Sequence, residues 1–337
     1  MIKNSSIIIA ALVLASCFSV AAKGETLSPE EENFEYLWNA FEDNYALFEV
    51  KGVDWEDLYR VYRPRVTGET TDEELFQVIS DMLRHLNDNH VVLMSMEPLR
   101  FFCAGTLFET LGGSMEAFRE LPQKRPFLSS YFKSGLTESE NKIFFHGWAA
   151  EGIGYLHLNK FSDPEGSGKA IDSILDEFRE ARGIVIDVRN NVGGDDSVGK
   201  LVAERFADRK RHYLRVKTRI EGSPGEFGPA DEWYLEPDGP PRYSGPVVIL
   251  ANRSTLSAAE NFLLAMKTLP NVTIVGETTS GCFGSAKNFE MPNGWRLMVT
   301  YKLFTDQEGF CWEGIGILPH LRQPEFPEDR EQGIDRP

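Results

Sequence analysis

The chain has 337 residues, of which 52 are acidic and 35 are basic, and its formal net charge at pH 7 is −17. This acidic excess, with no run of five or more Lys and Arg residues, excludes binding to nucleic acid or to an anionic membrane surface, since both need a concentrated basic patch. A hydrophobic content of 42% with 12% aromatic residues excludes a disordered chain and is sufficient for a sizeable core in one or two domains.

The N-terminus has the pattern of a secretory signal peptide. A basic residue precedes an apolar run over residues 7–15, and Val20-Ala21-Ala22 suits signal peptidase, so residues 1–22 are predicted to be removed. The run is too short for a membrane span. The sequence Leu-Ala-Ser-Cys ending at Cys17 is also similar to a bacterial lipobox, in which the cysteine is lipidated. We therefore expect an exported protein, either a periplasmic, membrane-anchored lipoprotein attached only through its N-terminal lipid or a freely secreted protein.

Residues 28–94 are predicted to form a helical N-terminal domain. Apolar residues recur there at spacings of three, four and seven, which is typical of one helical stripe packed in a core. The stripe consists of Phe34, Leu37, Trp38, Phe41, Tyr45 and Phe48. A later helix begins with a capping box at residues 71–74 and ends in LNDNHVVL, where Asn and Asp cluster before a β-branched run. His90 is therefore placed at a hinge between helix and strand.

The remainder of the chain divides into three parts. Residues 95–150 contain Gly and Pro breaks and are predicted to be a loop-rich connection. In residues 151–325, apolar strands alternate with amphipathic helices, which indicates an α/β fold with a largely buried sheet. Asn293-Gly294 lies between two extended runs there and predicts a β-hairpin. Residues 326–337 are predicted to be a polar C-terminal tail.

The sequence RSTLSAAENF places Ser257 between a buried strand and a helix. Ser257 and Glu260 fit the S-x-x-E capping box, so a helix cap is one interpretation. The position also lies at the carboxyl edge of the sheet, where α/β folds bind ligands, and the N–H of Ala258 is suited to stabilising an oxyanion. A cap and a nucleophile are both compatible with this pattern, and Ser254 and Thr255 are rivals for either role.

Three further positions carry groups suited to acyl transfer. Gly193 and Gly194 follow the strand GIVIDV and let backbone N–H groups approach a substrate, although a tight turn explains them equally well. Their spacing fits neither a dinucleotide fingerprint nor a P-loop. His90 lies in a polar hinge, where an imidazole could act as general base. Glu313 lies in the Gly-rich, apolar segment CWEGIGILPH, and orienting a histidine would give its carboxylate a partner. Taken alone, a structural histidine and a surface glutamate are the simpler interpretations.

The cysteines allow one disulfide. An exported chain permits such a bond, and Cys282 with Cys311 is the pair that we predict. No C-x-x-C motif and no His/Cys cluster indicates zinc, and we expect neither a metal nor a cofactor.

Six stretches of the sequence, taken together, resemble peptidase family S41, the tail-specific or carboxyl-terminal processing proteases. They are LRHLNDNHVVL, GIGYLHLNKFSDP, GIVIDVRNNVGG, VVILANRSTLSAAENFLLAMK, VTIVGETTSG and EGIGILPH, in the order of the family. They are most similar to its tricorn-core-like and retinoid-binding-protein-like branch, and span about residues 34–320. The resemblance implies an α/β core like that of ClpP and crotonase, preceded by a helical N-terminal domain.

The resemblance also implies roles for individual residues. Ser257 matches the nucleophile of the family. Gly193 or Gly194, together with the N–H of Ala258, matches its oxyanion hole, and the motif does not decide between the two glycines.

The general base differs between branches of the family. The lysine base of the processing proteases falls at Cys282 in this sequence, and the nearest lysine is Lys287, five residues further on. The tricorn-like branch instead uses a histidine before the first core strand and a glutamate near the end, which match His90 and Glu313. A histidine held by a carboxylate does not require the neutral, buried amine that a lysine base needs.

We therefore expect an exported serine endopeptidase that acts on polypeptides without a cofactor. A catalytically silent ligand-binding protein on the same fold is the alternative, and a hydrolase of the crotonase kind is a weaker one. Convergence of Ser257, His90 and Glu313 would discriminate between the first two. No clear PDZ pattern occurs in the roughly 60 residues between His90 and the core, so recognition of C-termini by such a domain is not expected.

Overall fold

The computed structural model describes residues 26–107, 132, 135–150, 152–240 and 242–324. The predicted signal peptide, Cys17 and the tail of residues 326–337 lie outside the described residues, as does much of the connection predicted for residues 95–150. None of the described helices combines the length and the apolar character that a membrane crossing requires.

Helices form the N-terminal part of the described chain. They are α1 (Pro29–Asn44), α2 (Phe48–Lys51), α3 (Trp55–Tyr62) and α4 (Asp72–Arg84). Capping boxes begin α1 and α4, where Ser28 pairs with Glu31 and Thr71 with Glu74, so the predicted box at residues 71–74 is confirmed. In each box the two side chains satisfy backbone N–H groups that have no partner within the helix.

The predicted single stripe of aromatic residues is divided between two helices. The backbone of Tyr45 is extended, with ψ of 124°, so this residue ends α1, and Phe48 begins α2. Both side chains nevertheless pack in one hydrophobic cluster with Phe34 and Phe41. The periodicity therefore identified the core residues correctly but missed the break in the helix.

The strands form three sheets. They are β1 (Val92–Met96), β2 (Leu99–Cys103), β3 (Thr137–Glu138), β4 (Phe144–Ala150), β5 (Ile153–Leu158), β6 (Gly183–Asp187), β7 (Arg211–Thr218), β8 (Asp231–Leu235), β9 (Val247–Ala251), β10 (Val272–Gly276), β11 (Ala286–Glu290), β12 (Arg296–Thr300), β13 (Lys302–Thr305) and β14 (Leu321–Arg322). The orders are β11-β12-β1-β2, β14-β10-β9-β6-β5-β4-β3 and β13-β7-β8.

The seven-stranded sheet is the centre of an α/β core. Its strands β5, β6, β9, β10 and β14 are parallel, and β3 and β4 extend it in antiparallel pairing. Three helices share one hydrophobic core with this sheet and with β7, namely α5 (Pro164–Glu177), α6 (Asp196–Glu204) and α7 (Ala258–Lys267). The predicted α/β fold with a helical N-terminal region is confirmed, because buried parallel strands need helices to cover them.

The four-stranded sheet joins the N-terminal part of the chain to a hairpin from its later part. Strand β1 pairs with β12, and β11 and β12 form the hairpin predicted from Asn293-Gly294, in which Gly294 has φ of 80°. Residues of β1 and β12 belong to the same hydrophobic cluster as the N-terminal helices. The helices are thereby fixed to the four-stranded sheet, and the hinge that carries His90 lies where α4 leads into β1.

Candidate active site

Ser257 lies in the turn between β9 and α7, in a strained conformation. Its φ of 60° and ψ of −128° lie outside the regions that residues other than glycine usually occupy. Its backbone N–H donates to the carbonyl of Cys282 at 2.9 Å and faces the carboxylate of Glu260 at 3.2 Å. The turn is therefore held from both sides, as expected where surrounding structure must enforce an unfavourable backbone.

The carboxylate of Glu260 connects the Ser257 turn to the segment after β10. Glu260 is fully buried and accepts hydrogen bonds from the hydroxyl of Thr279 and from the N–H groups of Gly281 and Cys282, the latter two at 2.7 and 2.8 Å. Burial raises the pKa of Glu260 to about 7, while these hydrogen bonds oppose the shift. The sequence revealed Glu260 only as the fourth position of a capping box, and its long-range partners gave no signal.

The glycine turn packs directly against Ser257. A Cβ atom on Gly193 would lie 2.8 Å from the nitrogen of Ala258 and from Cβ of Ser257, so only glycine fits there. The N–H of Gly193 donates to Oδ1 of Asn191 at 2.8 Å. Within the described ranges, no acceptor takes the N–H of Gly194 or of Ala258. The N–H of Ala258, which follows Ser257, and that of Gly194, which follows the glycine packed against Ser257, thus have no described acceptor.

His90 lies against Cys282 rather than against a carboxylate. The Sγ atom of Cys282 is 3.2 Å from Nδ1 of His90 and 3.7 Å from Nε2. Burial lowers the pKa of His90, and the nearby carboxylate of Asp88, which accepts the His90 backbone N–H at 2.8 Å, opposes this shift. Burial also raises the pKa of Cys282 well above its ordinary value. A neutral imidazole beside a protonated thiol is therefore favoured at neutral pH.

Glu313 is buried against Phe283, the residue that follows Cys282. Its Oε2 accepts the N–H of Phe283 at 2.8 Å, and its Oε1 lies 3.2 Å from Nζ of Lys51, with the two side chains 2% and 8% exposed. Burial, followed by the carboxylate of Asp88, raises the pKa of Glu313 against the opposing charge of Lys51. The expected direct hydrogen bond from the His90 ring to the Glu313 carboxylate does not occur between these two described residues.

The three predicted residues nevertheless converge on one short segment, residues 282–284. Ser257 reaches it through the carbonyl of Cys282, His90 through the thiol of Cys282, and Glu313 through the N–H of Phe283. Neither Ser257 nor Glu313 is hydrogen-bonded to the His90 ring in the described structure. The segment itself occupies the centre of the site.

The predicted disulfide is wrong. Cys282 and Cys311 are both free thiols. The reason is that Cys282 is fully buried, with its sulfur against His90 and in an apolar cluster with Leu107 and Leu256. Lys287, the lysine nearest to Cys282 in sequence, is also directed elsewhere, with Nζ 3.5 Å from the carboxylate of Glu221 and over the ring of Tyr301.

The sequence did not identify Lys51 or Asp88 as residues of the site. Lys51 ends α2 and donates to the carbonyl of Asn87 at 2.8 Å as well as pairing with Glu313. The carboxylate of Asp88 accepts from the hydroxyls of Tyr45 and Thr300 in addition to the His90 backbone. The Asn- and Asp-rich hinge could have drawn attention to Asp88, but nothing local distinguishes Lys51 from a surface lysine.

In the buried pair of Lys51 and Glu313, each charge is expected to offset the free-energy cost of burying the other. Lys51→Met leaves the Glu313 carboxylate buried without its cation and should lower the free energy of unfolding by about 3 kcal/mol. Glu313→Gln should also destabilise the protein, and the double variant should lose less than the sum of the two. Urea unfolding of the four proteins measures this coupling.

A surface pair provides the control for that cycle. Lys169 and Glu165 are 2.7 Å apart but 75% and 83% exposed, so Lys169→Met should leave the urea midpoint unchanged. Strictly additive losses in the Lys51 and Glu313 variants would contradict the proposed compensation.

Comparisons with known proteins show which families the sequence is similar to. Residues 152–323 match the family model of peptidase family S41, and residues 30–84 match that of the tricorn protease C1 domain. The chain is 28% identical over 178 residues to carboxy-terminal processing protease CtpA of Bacillus subtilis, covering 52% of this chain and 36% of that protein. It is 30% identical over 210 residues to tricorn protease homolog 1 of Streptomyces coelicolor, covering 58% and 18%.

Solved structures give a similar result over a larger part of the chain. A candidate peptidase from Parabacteroides merdae superposes with a TM-score of 0.78 at 27% identity, covering 92% of this chain and 94% of that one. Mature CPAF superposes with a TM-score of 0.69 at 14% identity, covering 90% and 94%, which supports the fold alone. The chain spans less than half the length of the curated relatives named above.

Proposed function

The chain belongs to peptidase family S41, and from this membership we propose that it is a serine endopeptidase that cleaves polypeptides through an acyl-enzyme on Ser257. The observation that carries the proposal is the strained turn of Ser257 at the start of α7, packed against Gly193, with His90 in contact with the adjoining Cys282. A helix cap alone would not require φ of 60° at Ser257, since caps normally have extended backbone.

In the proposed reaction, the Ser257 hydroxyl attacks the carbonyl carbon of the scissile peptide and the His90 imidazole accepts its proton. The pKa of His90 is lowered by burial, so the ring is neutral and able to act as base at neutral pH. Catalytic hydrogen bonds commonly tighten only when substrate is bound, which fits a serine and a histidine that both contact Cys282 but are not hydrogen-bonded to each other.

The oxyanion of the tetrahedral intermediate would be stabilised by the N–H groups of Gly194 and Ala258. The N–H of Gly193 is already bound to Asn191, which favours Gly194 over Gly193 as donor. Collapse of the intermediate breaks the C–N bond, and the His90 imidazolium protonates the leaving amine. Water, activated by the neutral imidazole, then hydrolyses the ester and restores Ser257.

Cys282 and Glu313 are assigned positioning roles. The pKa of the Cys282 thiol is raised, so the thiolate needed for nucleophilic attack is disfavoured, and the sulfur instead packs against the His90 ring. Glu313 accepts the N–H groups of Phe283 and Gly284 and thereby fixes the segment that carries this sulfur. It would orient His90 through Cys282 rather than by a direct hydrogen bond.

We also propose that the protein is exported and that its chain divides into a helical region, a connection, a catalytic core and a tail. The pattern in residues 1–22 supports a cleaved signal peptide, with the mature chain either beginning at a lipidated Cys17 or beginning near residue 23 and released. We assign residues 28–94 to a helical region, residues 95–150 to a connection, residues 151–325 to the catalytic core and residues 326–337 to a tail. Polypeptides are the proposed substrates.

The pH dependence of peptide hydrolysis tests this function. Because burial lowers the pKa of His90 and only the neutral imidazole accepts a proton, kcat/KM should rise with pH through a pKa below about 6.5 and then stay level through neutrality. The measurement is the initial rate on a mixed peptide library between pH 4.5 and 9, with products identified by mass spectrometry.

Two results would reject parts of the proposal. A rate that rises only well above pH 7 would indicate a lysine base, whose ordinary pKa is about 10.4. The absence of any cleavage at every pH, in a protein shown to be folded by circular dichroism, would reject peptidase activity and favour a ligand-binding protein on this fold.

A further inference from the structure

A polar cavity of about 310 Å³ lies beside the candidate active site and takes no part in the proposed chemistry. Its polar lining includes Asn89, Arg253, Glu277, Thr278, Ser280 and Arg322. Asn89 directly precedes His90, and Ser280 lies two residues before Cys282. A polypeptide bound with its scissile bond at Ser257 would therefore have neighbouring residues within reach of this cavity.

The two arginines lie at the same edge of the seven-stranded sheet, at strands β9 and β14, which flank β10. Arg253 follows the carboxyl end of β9, and Arg322 lies in β14, where it is paired with Gly276 at the end of β10. The N–H of Gln323 donates to the carbonyl of Gly276 at 2.8 Å and fixes this edge. The carboxyl edge of such a sheet is the usual position for ligand binding in α/β folds.

The charges of the cavity do not cancel. The guanidinium of Arg253 pairs with the carboxylate of Glu277 at 2.7 Å. Arg322 is exposed, and no ion-pair partner for it occurs among the residues that the structure describes. Among the described residues, the lining thus holds one positive charge in excess, in a chain whose formal net charge is −17. A local cation on an acidic protein selects for a negative group that the rest of the surface repels.

We propose that this cavity is a subsite for a carboxylate of the polypeptide substrate, with Arg322 as its specificity-determining residue. The proposal rests on the proposed peptidase function. A guanidinium binds a carboxylate through two parallel N–H donors, and the hydroxyls of Thr278 and Ser280 and the amide of Asn89 are further hydrogen-bonding groups of the same lining. The carboxylate belongs either to an Asp or Glu side chain near the scissile bond or to the C-terminus of the substrate.

Matched peptides distinguish the two sources. For a peptide that the full chain cleaves, kcat/KM is measured with a free and with an amidated C-terminus, and with each Asp or Glu replaced by Asn or Gln. Wild type should prefer one carboxylate form by about five- to tenfold, a modest factor because the guanidinium is exposed. Arg322→Gln should remove this preference by lowering the rate on that form, and Arg322→Lys should retain part of it.

An exposed arginine outside the cavity serves as the control. Arg296 in β12 is exposed and does not line the cavity, so Arg296→Gln should keep the wild-type preference. Equal rates of wild type on all peptide forms, or an unchanged preference in Arg322→Gln, would overturn the subsite.

A binding assay tests this subsite independently of peptidase activity. Fluorescence anisotropy of labelled library peptides, in the same free, amidated and substituted forms, reports affinity for Ser257→Ala without turnover. It should show the carboxylate preference and its loss on adding Arg322→Gln. If wild type cleaves nothing, the peptidase proposal fails, and the anisotropy series still decides the subsite. Equal affinities for the carboxylate and neutral peptides would then overturn it as well.

Discussion

Ser257→Ala is expected to lower kcat/KM for peptide hydrolysis by about 10⁴-fold or more, and His90→Ala to have an effect of similar size. The first substitution removes the oxygen that forms the acyl-enzyme, and the second removes the group that accepts and returns its proton. Because nucleophile and base act in one step, the double variant should be little worse than either single variant. Initial rates on one cleaved peptide, at pH 7.5 and at substrate concentrations well below KM, give kcat/KM for wild type and for the three variants.

The helix-cap interpretation of Ser257 makes a different prediction. Loss of a cap costs about 1 kcal/mol of stability and would leave hydrolysis intact in the folded fraction. Lys287→Ala is the matched control for the base, because Lys287 pairs with Glu221 outside the site and its loss should leave kcat/KM unchanged. Normal activity in Ser257→Ala, or loss of activity in Lys287→Ala with His90→Ala still active, would contradict the assignment.

The parts of the site that could be predicted from sequence are those built from consecutive residues. Strand, turn and helix around Ser257 follow one another within a few positions, and the Gly193-Gly194 turn likewise follows directly from its strand. Alternating apolar strands and amphipathic helices were enough to predict the α/β core, since each element has its own periodicity.

The parts that were missed depend on contacts between distant segments. Cys282 meets His90 across 192 positions and Lys51 meets Glu313 across 262, so no local pattern links either pair. The predicted disulfide between Cys282 and Cys311 was wrong for the same reason. Cysteine spacing in sequence does not reveal that the Cys282 side chain is directed at an imidazole, and a thiol buried there is unavailable to Cys311.

Glu260 shows how one residue can satisfy a local pattern and carry a long-range role. As the fourth residue of the capping box it faces the N–H of Ser257, and it also accepts three hydrogen bonds from residues 279–282. Those residues in turn hold the Glu313 segment, because Gly281 accepts the N–H of Gly314 at 2.7 Å and Thr279 accepts that of Ile317 at 2.7 Å. The carboxylate of Glu260 therefore supports the nucleophile turn and the segment beneath His90 together.

Glu260→Ala is accordingly expected to lower the free energy of unfolding by about 4 kcal/mol and to reduce kcat/KM strongly in the protein that remains folded. The substitution leaves three buried donors, on Thr279, Gly281 and Cys282, without their acceptor, and the Ser257 N–H keeps only its bond to the carbonyl of Cys282. Glu290→Ala, on an exposed position of β11, is the control and should change neither quantity. Urea unfolding and peptide hydrolysis measure the two effects, and a loss of stability below about 1 kcal/mol would contradict the role of Glu260.

Glu260→Gln separates the charge of this group from its shape. Burial raises the pKa of Glu260 to about 7, so between pH 4.5 and 7 the folded protein binds the proton more tightly than the unfolded chain. Stability of the wild type should therefore fall as pH rises through this window, and Glu260→Gln should lack that part of the slope. Urea midpoints of the two proteins at pH 5, 6, 7 and 8 measure the difference. If the advantage of wild type over Glu260→Gln instead increases with pH, the hydrogen-bond donors outweigh burial, and the group acts as a buried carboxylate that holds the Ser257 turn by its charge.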